Sequence, residues 1–290
     1  MRALHRPLLL LLVLTGLVAA TLPVAASPAR HVTPLAQAHA HNDYEHTRPL
    51  LDALDHGFTS VEADIYLVDG ELLVAHDPED LDPDRTLRSL YLDPLRHKVS
   101  HGGVYPGKRV EFQLLIDIKT EGESTYAALD TLLRSPRYAF LWTKYRFGHV
   151  KRGPVTAVVS GNRPRATMEG QRTRMAFYDG RIANPDDVGP GGDARLAPLV
   201  SDNWTTLFTW TGAGEMPAGE RAELRRIVDT AHRAGQRVRF WATPDVAGPE
   251  REAVWRELVA AEVDHINTDD LAGLAAFLRA QDRARDRAAA

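Results

Sequence analysis

The sequence predicts an α/β fold, a single (β/α)8 TIM barrel, and three observations predict it. Eight short apolar runs of strand length are separated by longer segments whose apolar residues recur at helical spacing. The runs are near-continuous, the pattern of parallel strands covered on both faces. Together they use nearly all of a 290-residue chain, and α/β barrels occupy about 250 residues as one unit. The composition agrees: 44% hydrophobic and 26% charged residues exclude wholesale disorder. No cysteine is present, which excludes a disulfide scaffold, a thiolate zinc site and a cysteine nucleophile. The formal charge of −4 provides no global basic field, so no nucleic-acid partner is expected.

Taken in order, residues 1–26 come first. Arg2, His5 and Arg6 precede an apolar run from Leu8 to Ala20, and small residues close the segment at Val24-Ala25-Ala26. This is the pattern of a secretory signal peptide, and the run is too short for a membrane span of about 20 residues. The protein is therefore expected to be secreted or extracytoplasmic, with one domain at 27–290. Strands are predicted at Leu35–His41, Thr59–Tyr66, Gln113–Lys119, Val155–Ser160, Met175–Tyr178, Leu196–Val200, Val238–Ala242 and His265–Thr268. Helices are predicted at Arg48–His56, Thr86–Leu95, Thr125–Leu133, Arg165–Gly170, Gly219–Ala234, Glu250–Ala261 and Leu271–Ala284. The stretch 180–195, rich in Gly, Pro and Asp, reads as a loop, and the Arg/Ala-rich stretch 283–290 as a fraying end.

The chemistry collects at the C-terminal ends of the first three strands, where barrel enzymes keep their sites. His39 and His41 end the first strand and, two apart, share a face. On the second strand Glu62 and Asp64 share the inner face, while Val61, Ala63 and Ile65 face the helices. Two buried carboxylates side by side repel each other, and a hard cation such as Mg²⁺ or Ca²⁺ with its preference for oxygen ligands resolves that repulsion. A hairpin turning at Asp69-Gly70 brings His76 back toward the mouth. The third strand ends with Asp117 and Lys119, a third carboxylate and a fixed cation. His97, His101, His149 and His232 fall in loops or on helix faces and are read as structural.

This ordered set resembles the phosphodiesterase superfamily of barrels that includes glycerophosphodiester phosphodiesterases, bacterial phosphatidylinositol-specific phospholipase C and spider sphingomyelinase D. The family's strand-one His, Glu-x-Asp, His-Asp after a hairpin, acidic residue with Lys, strand-seven Trp and Thr-Asp are matched by His41, Glu62 and Asp64, His76-Asp77, Asp117 with Lys119, Trp241, and Thr268-Asp269. The start His41-Asn42-Asp43-Tyr44 is similar to that of a bacterial and fungal group of glycerophosphodiesterase-like proteins. It departs from the His-Arg-Gly of glycerophosphodiesterases, and Asp117-x-Lys119 is closer to sphingomyelinase D than to their Glu-x-Lys.

The resemblance implies a PI-PLC-like barrel that hydrolyses a phosphodiester, either a glycerophosphodiester or one derived from a phospholipid. Glu62, Asp64 and Asp117 would hold a divalent cation, Mg²⁺ or Ca²⁺. His41 and His76 would act as general acid and base, Lys119 would neutralise the phosphate, and Trp241 would wall the pocket or face a choline-like cation. A neighbouring substrate hydroxyl could attack first and give a cyclic phosphate. The substrate is a small-molecule or lipid phosphodiester. No amphipathic membrane helix stands out, which favours a soluble one, and the oligomeric state is open. Two rivals stand beside this reading. One is a zinc amidohydrolase-type barrel using His39-Ala40-His41, against which the later strand ends lack histidines. The other is a barrel that binds a phosphate ester without turnover.

Overall fold

The computed structural model describes residues 32–289. Eight parallel strands form the wall: β1 (Leu35–Ala40), β2 (Phe58–Val68), β3 (Phe112–Ile118), β4 (Val155–Gly161), β5 (Ala176–Arg181), β6 (Leu199–Asn203), β7 (Arg237–Trp241) and β8 (His265–Thr268). β1 pairs with β2, His39 beside Ser60, and with β8, His39 beside Asn267, so the sheet closes on itself. The arm Glu71–Val74 folds back antiparallel on the outer end of β2. Its turn residues Asp69 (φ 49°) and Gly70 (φ 86°) are both left-handed, as a two-residue hairpin loop of this hand requires.

The helices are α1 (Leu51–His56), α2 (Asp93–Ser100), α3 (Gly122–Arg134), α4 (Arg165–Gly170), α5 (Trp204–Leu207), α6 (Ala218–Arg233), α7 (Pro249–Ala260) and α8 (Leu271–Ala289). Each longer one buries a stripe. In α6 it is Leu224, Ile227, Val228 and Ala231, the i, i+3, i+4, i+7 set that faces one way. The side chain of Glu121 caps α3 by accepting the amides of Glu123 and Ser124. The helix predicted at Thr86–Leu95 is instead a turn of π-helix, Arg88–Leu92, leading into α2, whose first turn contains Pro94, a place where its missing N–H is harmless. α8 runs to Ala289 through the end expected to fray, because Ala and Arg are strong helix formers.

Apolar packing is divided between the two faces of the wall. Val61, Ala63, Ile65, Leu114 and Ile116 pack outward in the main core with the helices. Inside, a small cluster of Leu115, Val158, Phe177 and Leu199 is closed off by Tyr145. Tyr145 belongs to a three-stranded antiparallel sheet, Lys144–Arg146, His149–Lys151 and Thr173–Arg174, which lies where β4 and β5 begin and which the sequence reading did not foresee. The rest of the barrel interior is polar, with Ser60, Gln113, Asp179, Ser201 and Arg239 all buried.

Candidate active site

The β1 ladder continues one residue past the strand: the His41 amide donates to the Thr268 carbonyl at 3.0 Å. Asn42 then turns the chain in the left-handed region (φ 45°), which Asn tolerates better than most residues. The following 3-10 turn, Asp43–Glu45, carries Tyr44 inward. Asp43 anchors this turn, its Oδ2 accepting the Leu50 amide at 2.6 Å, and burial pushes its carboxyl up to about 7.

His41 Nδ1 lies 2.8 Å from Asp269 Oδ1. A carboxylate only accepts, so Nδ1 carries the hydrogen, and Nε2 is directed toward Glu62 Oε2 at 3.8 Å. Burial opposes charge on His41, but the Asp269 hydrogen bond and the Glu62 charge outweigh it and raise its pKa. His39 is fully buried, with Nδ1 2.7 Å from Ser60 Oγ. Burial and then Arg239 pull it down to about 4. The two histidines of the His-x-His fragment thus hydrogen-bond different partners through Nδ1, while the Nε2 of each lies 3.8 Å from Glu62 Oε2.

Glu62, Asp64 and Asp117 meet as expected: one carboxylate oxygen from each lies within 4.8 Å of the others. β2 and β3 bring them together by register, since Asp64 stands directly beside Asp117. Glu62 Oε2 accepts Arg239 Nη2 at 3.0 Å. Burial would raise the Glu62 pKa, yet the adjacent guanidinium overrides it and holds the carboxyl far below its usual range. Lys119 Nζ bridges Asp64 Oδ2 (3.0 Å) and Asp117 Oδ1 (3.1 Å). Despite that cation, Asp64 is pushed up to about 6, first by burial and then by the Glu62 charge. Asp117 is raised as well, chiefly by burial. Three carboxylates against two cations leave negative charge in excess, and the all-oxygen donor set fits a hard divalent ion.

His76 stands across the mouth on the return of the hairpin. Its Nδ1 is 3.0 Å from the Tyr44 hydroxyl and 3.6 Å from Asp64 Oδ2. The same hydroxyl is 2.7 Å from Asp64 Oδ2 and 2.9 Å from Asn42 Oδ1. Having one proton, it donates to one carboxylate oxygen or amide and accepts from His76 Nδ1–H, which leaves His76 Nε2 with a lone pair. Trp241 ends β7 on the inward face, two residues beyond Arg239 and level with Asn203. From β5, Arg181 reaches the mouth, donating to Asp179 at 2.8 Å and approaching Ser160 Oγ at 3.5 Å.

All the site residues expected from the sequence therefore gather at one end of the barrel. The residues missed are those that hold the others. Tyr44 supports His76, Arg239 neutralises Glu62, Arg181 enters from the opposite wall, and Asp269 orients His41, although its place in the sequence pattern had been noted. Arg239 had a sequence signal, an inward arginine between Val238 and Phe240 in β7, whereas Arg181, after Asp179 and Gly180, had none.

Comparison with known proteins adds to this geometry. The profile described as "AIM6-like phosphodiesterase domain" matches residues 27–179. The chain belongs to the AIM6-like phosphodiesterase family. A second profile, "Glycerophosphoryl diester phosphodiesterase family", matches residues 237–272, which include Arg239, Trp241 and Asp269. Among relatives of the AIM6-like family, "Altered inheritance of mitochondria protein 6" of Eremothecium gossypii is 30% identical over 280 residues, covering 87% of this chain and 72% of that protein. Its homolog in Arthroderma benhamiae is 28% identical over 269 residues, covering 83% of each. Of solved structures, the calcium-dependent phosphoinositol-specific phospholipase C of a Pseudomonas species superposes with a TM-score of 0.53 at 14% identity, covering 83% of this chain and 92% of that one. A glycerophosphoryl diester phosphodiesterase from Parabacteroides distasonis gives 0.51 at 15% identity, covering 88% and 89%. The AIM6-like chain is thus a phosphodiesterase-type barrel of the superfamily that the sequence pattern resembles.

One expectation is corrected by the family. A secreted or extracytoplasmic location was expected from residues 1–26, whereas the relatives carry a name tied to mitochondrial inheritance, and secretion is withdrawn. A basic, apolar opening is a targeting pattern whose composition does not single out one address, and residues 1–26 lie outside the described residues.

Proposed function

We propose that this barrel is a metal-dependent phosphoric diester hydrolase acting on a glycerophosphodiester or a phospholipid-derived diester. The observation that carries the proposal is the placement of two histidines, His41 and His76, on either side of the Glu62, Asp64 and Asp117 group. Those three carboxylates would hold Ca²⁺ or Mg²⁺. When bound, such an ion supplies Lewis-acid polarisation of a non-bridging phosphate oxygen. The calcium dependence in the name of the solved phospholipase favours Ca²⁺.

The remaining chemistry belongs to the side chains. Lys119 sets a positive charge beside the phosphate, where charge grows as the fifth oxygen approaches phosphorus. One histidine takes the proton of the attacking hydroxyl, from water or from the substrate itself, as the new P–O bond forms. The other delivers a proton to the departing oxygen as the old P–O bond breaks. Imidazoles suit both tasks because their pKa lies near working pH. Asp269 and Tyr44 hold the rings so that each presents Nε2 to the reacting group. Trp241 offers an aromatic wall for the alcohol portion.

A ³¹P NMR assay over glycerophosphodiesters, inositol phosphodiesters and lysophospholipids tests this reading. Turnover of at least one is expected, abolished by EDTA and restored by Ca²⁺ or Mg²⁺. His41→Ala and His76→Ala are each expected to lower turnover about 10²–10⁴-fold with unchanged circular dichroism. Turnover within severalfold of the parent in either variant overturns the two-histidine scheme. Saturable binding without product from any diester overturns the hydrolase.

A further inference from the structure

The small sheet beneath the barrel has features that its role as a plug does not explain. Its hairpin, Lys144–Arg146 and His149–Lys151, sets Lys144 directly opposite Lys151 and Arg146 directly opposite His149. Like charges facing each other across an antiparallel pair are destabilising. By strand alternation these four side chains share one face, while Tyr145 on the other packs into the barrel. The turn residue Phe147 is left-handed (φ 45°) and 60% exposed. A turn selected for stability places Asn, Asp or Gly there, and an aromatic held outward at a strained position points to a role beyond folding. Phe140 and Val150 are exposed in the same region.

The surroundings are cationic. From Thr131 to Met168 the chain contains no Asp or Glu, although the protein as a whole is acidic. A depression of about 760 Å³ here is lined by Arg134, Lys144, Arg146, Lys151, Arg152 and Arg174 with no carboxylate on its walls. Arg134 and Arg152 reach Asp130 and Glu111 outside those walls. Lys144, Arg146 and Lys151 have no carboxylate partner among the described residues.

We propose that this hairpin is a docking surface for an anionic phospholipid membrane. Phe147 at the apex and Phe140 would enter the headgroup–acyl boundary, and Lys144, Arg146 and Lys151 would meet lipid phosphates. Charge complementarity together with exposed apolar side chains at a hairpin apex selects this partner. Nucleic acid fits less well, because a single apical phenylalanine forms no platform for stacked bases. The hairpin lies where β4 and β5 begin and the catalytic groups lie where strands end. A docked molecule therefore turns its mouth to the aqueous phase.

The test is co-sedimentation of the full chain with vesicles of phosphatidylcholine alone and of phosphatidylcholine with phosphatidylserine at roughly four to one. Binding is expected to the mixed vesicles only and to weaken at high salt. Lys144→Ala, Arg146→Ala and Lys151→Ala should each lower partitioning about fivefold. Phe147→Asn should lower it at least as much while leaving the melting temperature equal or higher, since Asn relieves the turn, which separates lost docking from lost folding. Equal binding to neutral vesicles, parent-like partitioning of these variants, or binding to a single-stranded oligonucleotide in place of vesicles overturns the proposal.

Discussion

Tyr44 shows how much of the site depends on one residue that performs no bond chemistry. Its hydroxyl touches Asn42, Asp64 and His76 at once, so it fixes a histidine and a carboxylate relative to each other. Tyr44→Phe keeps the ring in its buried slot and removes only those contacts. It is expected to lower kcat/KM about 10–100-fold, the usual cost of losing a group that orients ligands, without loss of thermal stability; steady-state kinetics and calorimetry read both. Unchanged kinetics would make Tyr44 a packing residue. The charged candidates are legible in sequence because their types are rare on inward strand positions and their spacing follows strand alternation, as with Glu62, Asp64, Asp117 and Lys119. Tyr44 was not legible, because its role comes from a left-handed turn at Asn42 that no periodicity reveals. Asp269 needed the pairing of the first strand's end with the last.

Among the elements, β4 approaches β3 so closely at its end that Gly161 has no alternative. A Cβ there, at φ +67°, would sit 2.4 Å from both Asp117 Oδ1 and the Ile118 carbonyl. Gly161→Ala is expected to cost about 1–2 kcal/mol from the left-handed backbone alone and to displace Asp117. Calorimetric titration with Ca²⁺ should then show affinity lowered about tenfold or more. Parent-like affinity would remove Asp117 from the ligand set. The strand ends also explain where element prediction slipped. β5 and β6 run on to Arg181 and Asn203, whereas the sequence reading stopped them at Tyr178 and Val200. Their last inward residues are Asp179, Arg181, Ser201 and Asn203, so the apolar signal fades while the ladder continues. The outward-facing pattern of β1 to β4 and of the long helices α3, α6 and α7 was legible, because burial against the other layer demands it. The hairpin below the barrel was not, since Lys144–Lys151 is polar on one face and too short for a period.

At the scale of the whole molecule, the barrel encloses charge where most barrels stack aliphatic layers. Arg239 spans the interior to Glu62, Asp179 gathers Ser160, Ser201 and Arg181, and His265 is buried with neither ring nitrogen hydrogen-bonded to a described residue. Burial, reinforced by Arg237, His39 and Arg239, holds the His265 pKa well below 6.5. The unfolded chain takes up a proton at this residue below pH 6.5 and the folded one does not, so its contribution is complete above that pH and is lost as the pH falls. Stability therefore falls with pH below 6.5, because each step down favours the protonated, unfolded chain. His265→Leu should flatten the melting temperature across this range, and equal slopes in parent and variant would show that the ring titrates normally. The closure of β1 on β8 has a further consequence, for the timing of biosynthesis. His41 leaves the ribosome 228 residues ahead of its partner Asp269. A nascent chain halted before β8 has no seam to zip and no oriented His41, so the candidate site is assembled in one step when β8 emerges. Cleavage behind β7 that releases β8 would take the site apart as abruptly.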